Sequence, residues 1–378
     1  MPVDVLVGCH WGDEGKGRYV DLLSERANIV TRFQGGPNAG HTLVVDGEQT
    51  ILHMVPSGVL RPNVTNVLGN GVVFSPSQFA EEVSMLAKKG IYLTPNNMKV
   101  SDRAHIILQS WIDEDLKGSH EKIGTTGKGI GPTYLHKFRR DGIRVGDLFG
   151  RFENKPDGIS KAREELSGLL KLLEPFVCDT VSYLNRSLDA GLYVVGEGAQ
   201  GAGLDVDHGT YPNCTSSSPT AGGFCTGTGI GPKRIRDVYG VVKAYTTRVG
   251  EGTFPTELSD EVATFLATRG GEVGATTGRD RRCGWLDLDL TRKAYMINSV
   301  TKGCLTKLDV LSGLNEIKVF VHGNYVSFPG WSEDITGVRE FGDLPENAQE
   351  YVRNIEGVLG VPFAYVSVGA ERSAIISR

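Results

Sequence analysis

The chain has 378 residues, with 40 Lys plus Arg against 45 Asp plus Glu, a net charge of −5 at pH 7. A content of 39% hydrophobic and 22% charged residues buries a substantial core and excludes a largely disordered protein, while the mild acidity argues against a dedicated nucleic-acid binder. No apolar run approaches the ~20 residues of a membrane helix, and Met1-Pro2-Val3-Asp4 lacks the charged start of a signal peptide.

Val3 to Gly8 reads as a short β-branched strand running into a glycine-broken loop. Lys16 to Arg26 follows with Tyr19, Val20, Leu22 and Leu23 at helical spacing, and Ala27 to Phe33 is the next strand. Strand, loop, helix and strand make the βαβ unit of a parallel sheet. Ser75 as N-cap, Pro76 at the first helical position and Gly90 past the end frame a helix over Pro76–Lys89. Further helices are predicted over Lys161–Leu173, Thr291–Val300 and Glu346–Leu359. The strand rhythm continues at Leu192–Val195, which runs into Gly196-Glu197-Gly198, and at Val238–Ala244, Lys302–Leu308 and Glu316–His322. No low-complexity linker interrupts the chain, so residues 1–378 are read as one domain. The expected fold class is α/β: a large, mostly parallel central sheet with helices on both faces, a P-loop-like N-terminal βαβ unit and long ligand-binding loops.

Glycine is the compositional outlier, with 50 residues against an average of roughly 7%. Of these, 35 fall within residues 1–60, 118–150, 196–252 and 270–284, so the excess belongs to loops where backbone comes close to a ligand. Two of those stretches share an echo, Thr126-Gly-Lys-Gly-Ile-Gly-Pro132 and Thr226-Gly-Thr-Gly-Ile-Gly-Pro232, readable as two Gly-Pro turns or two anion-cradling loops. The six cysteines, Cys9, Cys178, Cys214, Cys225, Cys283 and Cys304, have neither CxxC nor metal-finger spacing and read as free thiols of a reducing, cytosolic compartment.

Four motifs carry chemistry. Gly8-Cys9-His10-Trp11-Gly12-Asp13-Glu14-Gly15-Lys16-Gly17 sits where a P-loop would, between strand and helix. It departs from the Walker pattern because Gly17 stands where a Mg²⁺-binding Ser or Thr belongs, which leaves Asp13 as the hard oxygen ligand. Backbone N–H groups at the helix start, with Lys16, suit phosphate. Gln34-Gly35-Gly36-Pro37-Asn38-Ala39-Gly40-His41-Thr42 follows the second strand, and His41 is a candidate acid near neutral pH. Ala275-Thr276-Thr277-Gly278-Arg279-Asp280-Arg281-Arg282 places three guanidiniums where phosphate or carboxylate could be held bidentately. Finally, Leu305-Thr306-Lys307-Leu308-Asp309 puts a carboxylate at a strand end, able to accept both guanine N1–H and the 2-amino group, with a lysine stem to cover the base.

Together these motifs resemble the adenylosuccinate synthetase family, whose members join IMP to aspartate at the expense of GTP. Ser101–His105, Ile123–Gly127, Glu197–Gly201, Asp207–Pro212, Thr246–Gly250, Cys283–Asp287 and Pro329-Gly330-Trp331 extend the match in order along the chain. The resemblance implies that Asp13 removes the N1 proton of IMP and, with the Gly40 carbonyl, holds Mg²⁺, while His41 acts as acid and Gln200 joins them in catalysis. It implies GTP binding by Gly12, Asp13, Glu14, Gly15, Lys16, Gly17, Gly40, His41 and Thr42, then Arg281, Lys307, Leu308, Asp309, Ser367, Val368 and Gly369. IMP is assigned to Asp13, Lys16, Asn38, Ala39, Gly40, His41, Thr126, Gln200, Thr215 and Arg279, with Arg140 reaching the partner's IMP across a homodimer. L-aspartate falls to Ala275, Thr276, Thr277, Gly278, Arg279 and Arg281.

The chain departs from the family pattern in five places. Two short insertions are missing, around Phe152–Leu173 and between Val321 and Pro329. His10 stands where the family carries Gln, and Gly196 where it carries Phe. Phe138-Arg139-Arg140-Asp141-Gly142 differs from the usual Ala-Arg-Arg-Gly, so Arg139 could share the role of Arg140. Phage relatives that take a 2-aminopurine nucleotide such as dGMP, sometimes with ATP, often replace the catalytic Asp; retention of Asp13 favours IMP. A silent GTP-binding homologue, with no need for the Asp13/His41 pair, is the alternative from another class.

Overall fold

Ten of the apolar segments align into one sheet in the structure, a computed structural model that describes residues 3–118, 125–154, 156–274 and 278–378. Its strands, numbered in chain order, are β1 (Val3–Gly8), β2 (Ile29–Arg32), β3 (Thr65–Leu68), β4 (Met98–Ser101) and β5 (Val177–Cys178), then β6 (Val194–Glu197), β7 (Ile235–Lys243), β8 (Lys302–Thr306), β9 (Phe363–Ser367) and β10 (Ile375–Ser377). The spatial order is β10-β9-β8-β7-β1-β6-β2-β3-β4-β5. Every neighbouring pair is parallel except β9 and β10. β1 is buried along its whole length, as a central parallel strand covered on both faces must be.

Alternation along β1 shows the two covered faces. Val3, Val5 and Val7 share a core with Leu184, Leu188, Phe224, Ala294 and Tyr351, which come from helices Thr180–Asp189, Ala221–Thr228, Leu288–Asn298 and Glu346–Leu359. Leu6 points the other way and joins Tyr19, Val20 and Leu23 of the Lys16–Leu23 helix. The expected α/β class with helices on both faces is therefore borne out. Among the described residues no helix is long and apolar enough to cross a membrane, and all six cysteines are free.

The helix over Pro76–Lys88 begins as expected, with Ser75 Oγ accepting the Gln78 N–H at 3.3 Å and Gly90 at φ 77° past its end. Glu346–Leu359 is one helix closed by Gly360 at φ 69°. Other boundaries move. Lys161–Leu173 is two short helices, Ile159–Glu165 and Leu170–Leu173, divided at the Ser167-Gly168 turn. The helix expected from Thr291 starts at Leu288, because the Asp287 carboxylate caps the Leu290 N–H at 2.9 Å. Glu316–Val321 lies outside the central sheet, in a three-stranded one with Leu286–Asp287 and Asn324–Pro329. Its hairpin turns on His322 (φ 51°) and Gly323 (φ 74°), whose N–H groups both donate to Asp289, at 3.0 and 3.1 Å.

The seven-residue echo does not make two equivalent loops. Gly129 opens the Ile130–Arg139 helix and Gly229 closes Ala221–Thr228, each at φ 72°. In the second copy Gly227 lies against the end of β2, where any Cβ would fall inside the Phe33 carbonyl oxygen. Both unusual residues of the purine-side loops also face the core. A Cβ at Gly196 would lie 2.6 Å from Phe224, so the ring of Phe224 fills the room that a Phe at 196 would take. His10 is 1% exposed, and its Nε2 lies 2.9 Å from Thr291 Oγ1. That hydroxyl donates to the Asp287 carbonyl at 2.6 Å, so His10 Nε2–H is the donor to Thr291.

Two stability predictions follow from these contacts. Gly227→Ala must displace backbone rather than a flexible side chain, and should cost about 1–3 kcal/mol; an unchanged urea midpoint would contradict the close approach. Burial holds His10 neutral, down to about 4 from 6.5. Between those values the unfolded chain binds a proton that the folded chain refuses, so the contribution is complete above pH 6.5 and is lost as pH falls toward 4. His10→Gln should therefore flatten the fall of Tm across that window, and a slope equal to the parent's would show that His10 does not cause it.

Candidate active site

The loops that follow β1, β2 and β6 meet at the carboxyl ends of three adjacent strands. Chain connections leave β1 toward β2 but leave β6 toward β7, so β1 and β6 flank a topological switch point, where open α/β sheets bind ligands. A cavity of about 1170 Å³ opens there.

Between β1 and the Lys16–Leu23 helix the backbone turns through Gly12 (φ 91°), Asp13 (φ 60°) and Gly15 (φ 84°). Positive φ at Asp13 is costly for a residue with a Cβ and is held by what lies beneath. Glu14 is 1% exposed and accepts the N–H groups of His10 and Gly12, each at 3.0 Å, and the Lys16 ammonium at 2.5 Å. Burial alone would raise the Glu14 carboxyl; the Lys16 ammonium outweighs it and keeps the group ionised. Thr306 Oγ1 donates to the Glu14 carbonyl at 2.8 Å and ties this loop to the end of β8.

After β2, Arg32 is buried and donates to the Met54 and Gly36 carbonyls at 3.1 and 3.2 Å, which fixes the Gln34–Gly40 loop. Gly36 N–H donates to Asn38 Oδ1 at 3.1 Å. The loop delivers His41 to the first position of a hairpin, His41–Val45 with Glu48–Leu52. His41 Nδ1 pairs with Glu197 Oε1 at the end of β6, and Glu197 also accepts Ser57 N–H at 2.8 Å and Ser57 Oγ at 2.5 Å. Burial lowers the His41 pKa, more than Glu197 raises it. Burial would raise Glu197, but His41, Arg32 and Ser57 hold it below its ordinary value, so the carboxylate is ionised and accepts Nδ1–H. Past β6, Gln200 sits at φ 55°, and its buried Oε1 has no hydrogen-bond partner among the described residues.

The opposite wall comes from β7, β8 and the segment that carries the arginines. Arg281 Nε approaches Asp13 Oδ2 to 2.9 Å as an ion pair without hydrogen-bond alignment, and its Nη1 donates to Glu272 Oε2 at 2.7 Å. Burial would raise Glu272; Lys243, Lys307 and Arg281 bring it down to about 2 instead. Lys307 stands at φ 63° and donates to the Gly270 carbonyl at 2.5 Å. Burial raises the Asp309 carboxyl, and its buried Oδ1 has no hydrogen-bond partner among the described residues. Arg18 reaches across to Ser367 and to the Gly369 carbonyl.

Most of the expected site residues border this one cavity: Gly12 to Gly17, Asn38 to Thr42, Thr126, Gln200, Thr215, Arg279, Arg281, Lys307, Asp309, Ser367 and Gly369. Leu308 and Val368 do not; their side chains are fully buried in the core. Gly278 is not part of the lining, and Ala275, Thr276 and Thr277 lie outside the described residues. Arg140 is exposed and not part of the cavity lining, at the end of the Ile130–Arg139 helix, which contributes Ile130 and Leu135 to that lining. Sequence reasoning gave no role to Arg18, Glu197, Lys243, Tyr245 or Glu272. A lysine at the end of the apolar run Val241-Val242-Lys243 is the one signal that pointed to a buried partner.

Asp13 and the Gly40 carbonyl, both on the cavity, are hard oxygen donors that suit Mg²⁺ alongside substrate phosphates. Among the described residues no cluster of three or more His, Cys, Asp or Glu forms a self-contained metal cage. The arrangement suits phosphoryl transfer: cations and helix-start N–H groups for phosphate, an acid-base pair, and guanidiniums for carboxylate.

Comparison with known proteins agrees. The family model for adenylosuccinate synthetase matches residues 5–325 and 321–376. The break falls on the two-residue hairpin turn at His322-Gly323, where an insertion was expected to be missing. The adenylosuccinate synthetase of Halothermothrix orenii is 45% identical over 99% of this chain and 98% of its own. That of Streptomyces coelicolor is 45% identical over 100% and 99%. The fully ligated adenylosuccinate synthetase structure from Plasmodium falciparum superposes with a TM-score of 0.92 at 38% identity, over 100% of both chains. The cyanophage S-2L succinoaminodeoxyadenylate synthetase, bound to dGMP and to dATP as an energy donor, has a TM-score of 0.71 at 22% identity, a likeness of fold. The chain belongs to the adenylosuccinate synthetase family.

Proposed function

We propose that this chain joins L-aspartate to IMP with GTP as phosphoryl donor, giving adenylosuccinate, GDP and phosphate. The observation that carries this reading is that Asp13 and His41, delivered by loops after different strands, border the same cavity as Asp309 just past the end of β8. Asp13 takes the N1 proton of IMP, and the resulting 6-oxyanion attacks the γ-phosphorus as GDP leaves. His41, oriented by Glu197, presents Nε2 to the transferring phosphate, whose negative charge favours the protonated ring that burial otherwise opposes. The amine of aspartate then attacks C6 and expels the 6-oxygen as phosphate, a far better leaving group than oxide. Mg²⁺, held by Asp13 and the Gly40 carbonyl, supplies charge neutralisation when bound.

Lys16 and the N–H groups of Gly15 to Gly17 fit phosphate, and Gln200 and Thr215 fit the purine nucleotide. Arg279 and Arg281 fit the carboxylates of aspartate, with Arg281 also reaching GTP. Asp309 accepts from guanine N1–H and the 2-amino group. The whole chain, 1–378, acts as one catalytic domain in the cytoplasm. It works as a homodimer in which Arg140, beside the exposed Leu135 and Phe138, serves the partner's IMP site. His10 and Gly196 both face the core, and with Asp13 retained IMP is the substrate rather than a 2-aminopurine nucleotide.

Assays with aspartate, GTP and either IMP or dGMP test the reading: turnover with IMP is expected, and turnover with dGMP alone would overturn it. Asp13→Asn should lower kcat by about 10²–10⁴-fold, the range for a lost general base. Arg140→Ala should raise the KM for IMP, and mixing the two impaired variants at low IMP should give more activity than either alone. Mixtures no more active than their components would argue against a shared site.

A further inference from the structure

Glu272 is buried, at 2% exposure, at the neck of the loop that carries the arginines. Its carbonyl accepts the Arg281 N–H at 3.0 Å, and Gly274 N–H donates to the Arg279 carbonyl at 2.8 Å, so residues 272–274 pair antiparallel with residues 279–281. The side chain reinforces that pairing. Its Oε2 accepts from Arg281 Nη1 at 2.7 Å and lies 3.1 Å from Lys243 Nζ, while Oε1 lies 3.0 Å from Lys243 Nζ and accepts the Tyr245 hydroxyl. Lys243 is itself 1% exposed and fixed on Thr247 Oγ1 at 2.7 Å. Lys243 and Tyr245 come from the end of β7 and just beyond it, so Glu272 is anchored to the central sheet on one side. On the other it holds the guanidinium that meets Asp13 at 2.9 Å.

A free arginine side chain samples many rotamers, and fixing one carries an entropic cost. A carboxylate that is already immobile removes that cost before substrate arrives. We propose that Glu272 is the positioning residue of this site: anchored by Lys243 and Tyr245, it aims Arg281 across the cavity at Asp13 and at the anions that bind beside it. Glu272 is not part of the cavity lining and acts through Arg281. This assignment rests on the proposed role of Arg281 in binding aspartate and GTP.

A double-mutant cycle between Glu272→Gln and Arg281→Lys in the full-length protein tests it. It is read as kcat/KM for aspartate and, needing no turnover, as calorimetric affinity for GDP. Glu272→Gln should lower kcat/KM by about 10–100-fold and weaken GDP by about 5-fold, chiefly through KM. In the Arg281→Lys background the same change should cost less than about 3-fold. Equal costs in the two backgrounds, or a Glu272→Gln protein matching the parent, would overturn the proposal. Lys243→Met combined with Glu272→Gln removes both buried charges and separates aim from mere neutralisation. A recovered Tm with the kinetic defect retained supports positioning, and kinetics that recover with Tm overturn it. A parent protein that binds GDP but turns over no IMP would instead contradict the proposed activity.

Discussion

Three proton-bearing side chains on the cavity wall rest on carboxylates buried beneath them: Lys16 on Glu14, His41 on Glu197 and Arg281 on Glu272. A carboxylate taken out of water alone costs several kcal/mol. Each of these is offset by more than its cation. Glu14 accepts two backbone N–H groups, Glu197 takes the N–H and hydroxyl of Ser57, and Glu272 takes Lys243 and the Tyr245 hydroxyl. The carboxylates therefore cannot follow the ligand, and the groups they hold face the cavity already oriented. For phosphoryl transfer, where charge placement does most of the catalysis, such fixed donors avoid reorganisation at the moment of reaction.

The topology explains how three distant stretches of sequence supply these pairs. β1 and β6 are neighbours in register, Leu6 beside Glu197, and β6 is in turn beside β2, Glu197 beside Arg32. Glu197 therefore ends its strand between the loop that carries Lys16 and the loop that carries His41. Glycines are required where backbone crosses these side chains: a Cβ at Gly8 or Gly201 would collide with the Glu14 carboxylate. The glycine excess is in this sense the counterpart of buried charge. Side chains that must lie under a loop need backbone above them with no side chain of its own.

What the sequence makes legible follows from locality. Asp13, Lys16 and the Lys16–Leu23 helix lie within one strand–loop–helix unit, and His41 lies directly after β2, so motif and periodicity locate them. The helix over Pro76–Lys88 carries its own cap and stop. Glu197, Lys243 and Glu272 are different, because their function is a partner far along the chain and no local spacing announces it. Short strands suffer likewise: β3, β4 and β9 take their identity from neighbours in the sheet rather than from a pattern of their own. Glu316–Val321 has a good strand pattern yet joins a separate sheet, since pattern specifies a strand but not its partner. The repeated Thr-Gly-x-Gly-Ile-Gly-Pro segment starts one helix and ends another, because a glycine at positive φ serves equally as either boundary.

The central claim is that the cavity phosphorylates the 6-oxygen of IMP before aspartate attacks, and the fate of that oxygen decides it. IMP carrying a heavy oxygen isotope at position 6 would be turned over with GTP and aspartate, and the released phosphate examined by mass spectrometry. The label is expected in the phosphate. Unlabelled phosphate released alongside adenylosuccinate would contradict it.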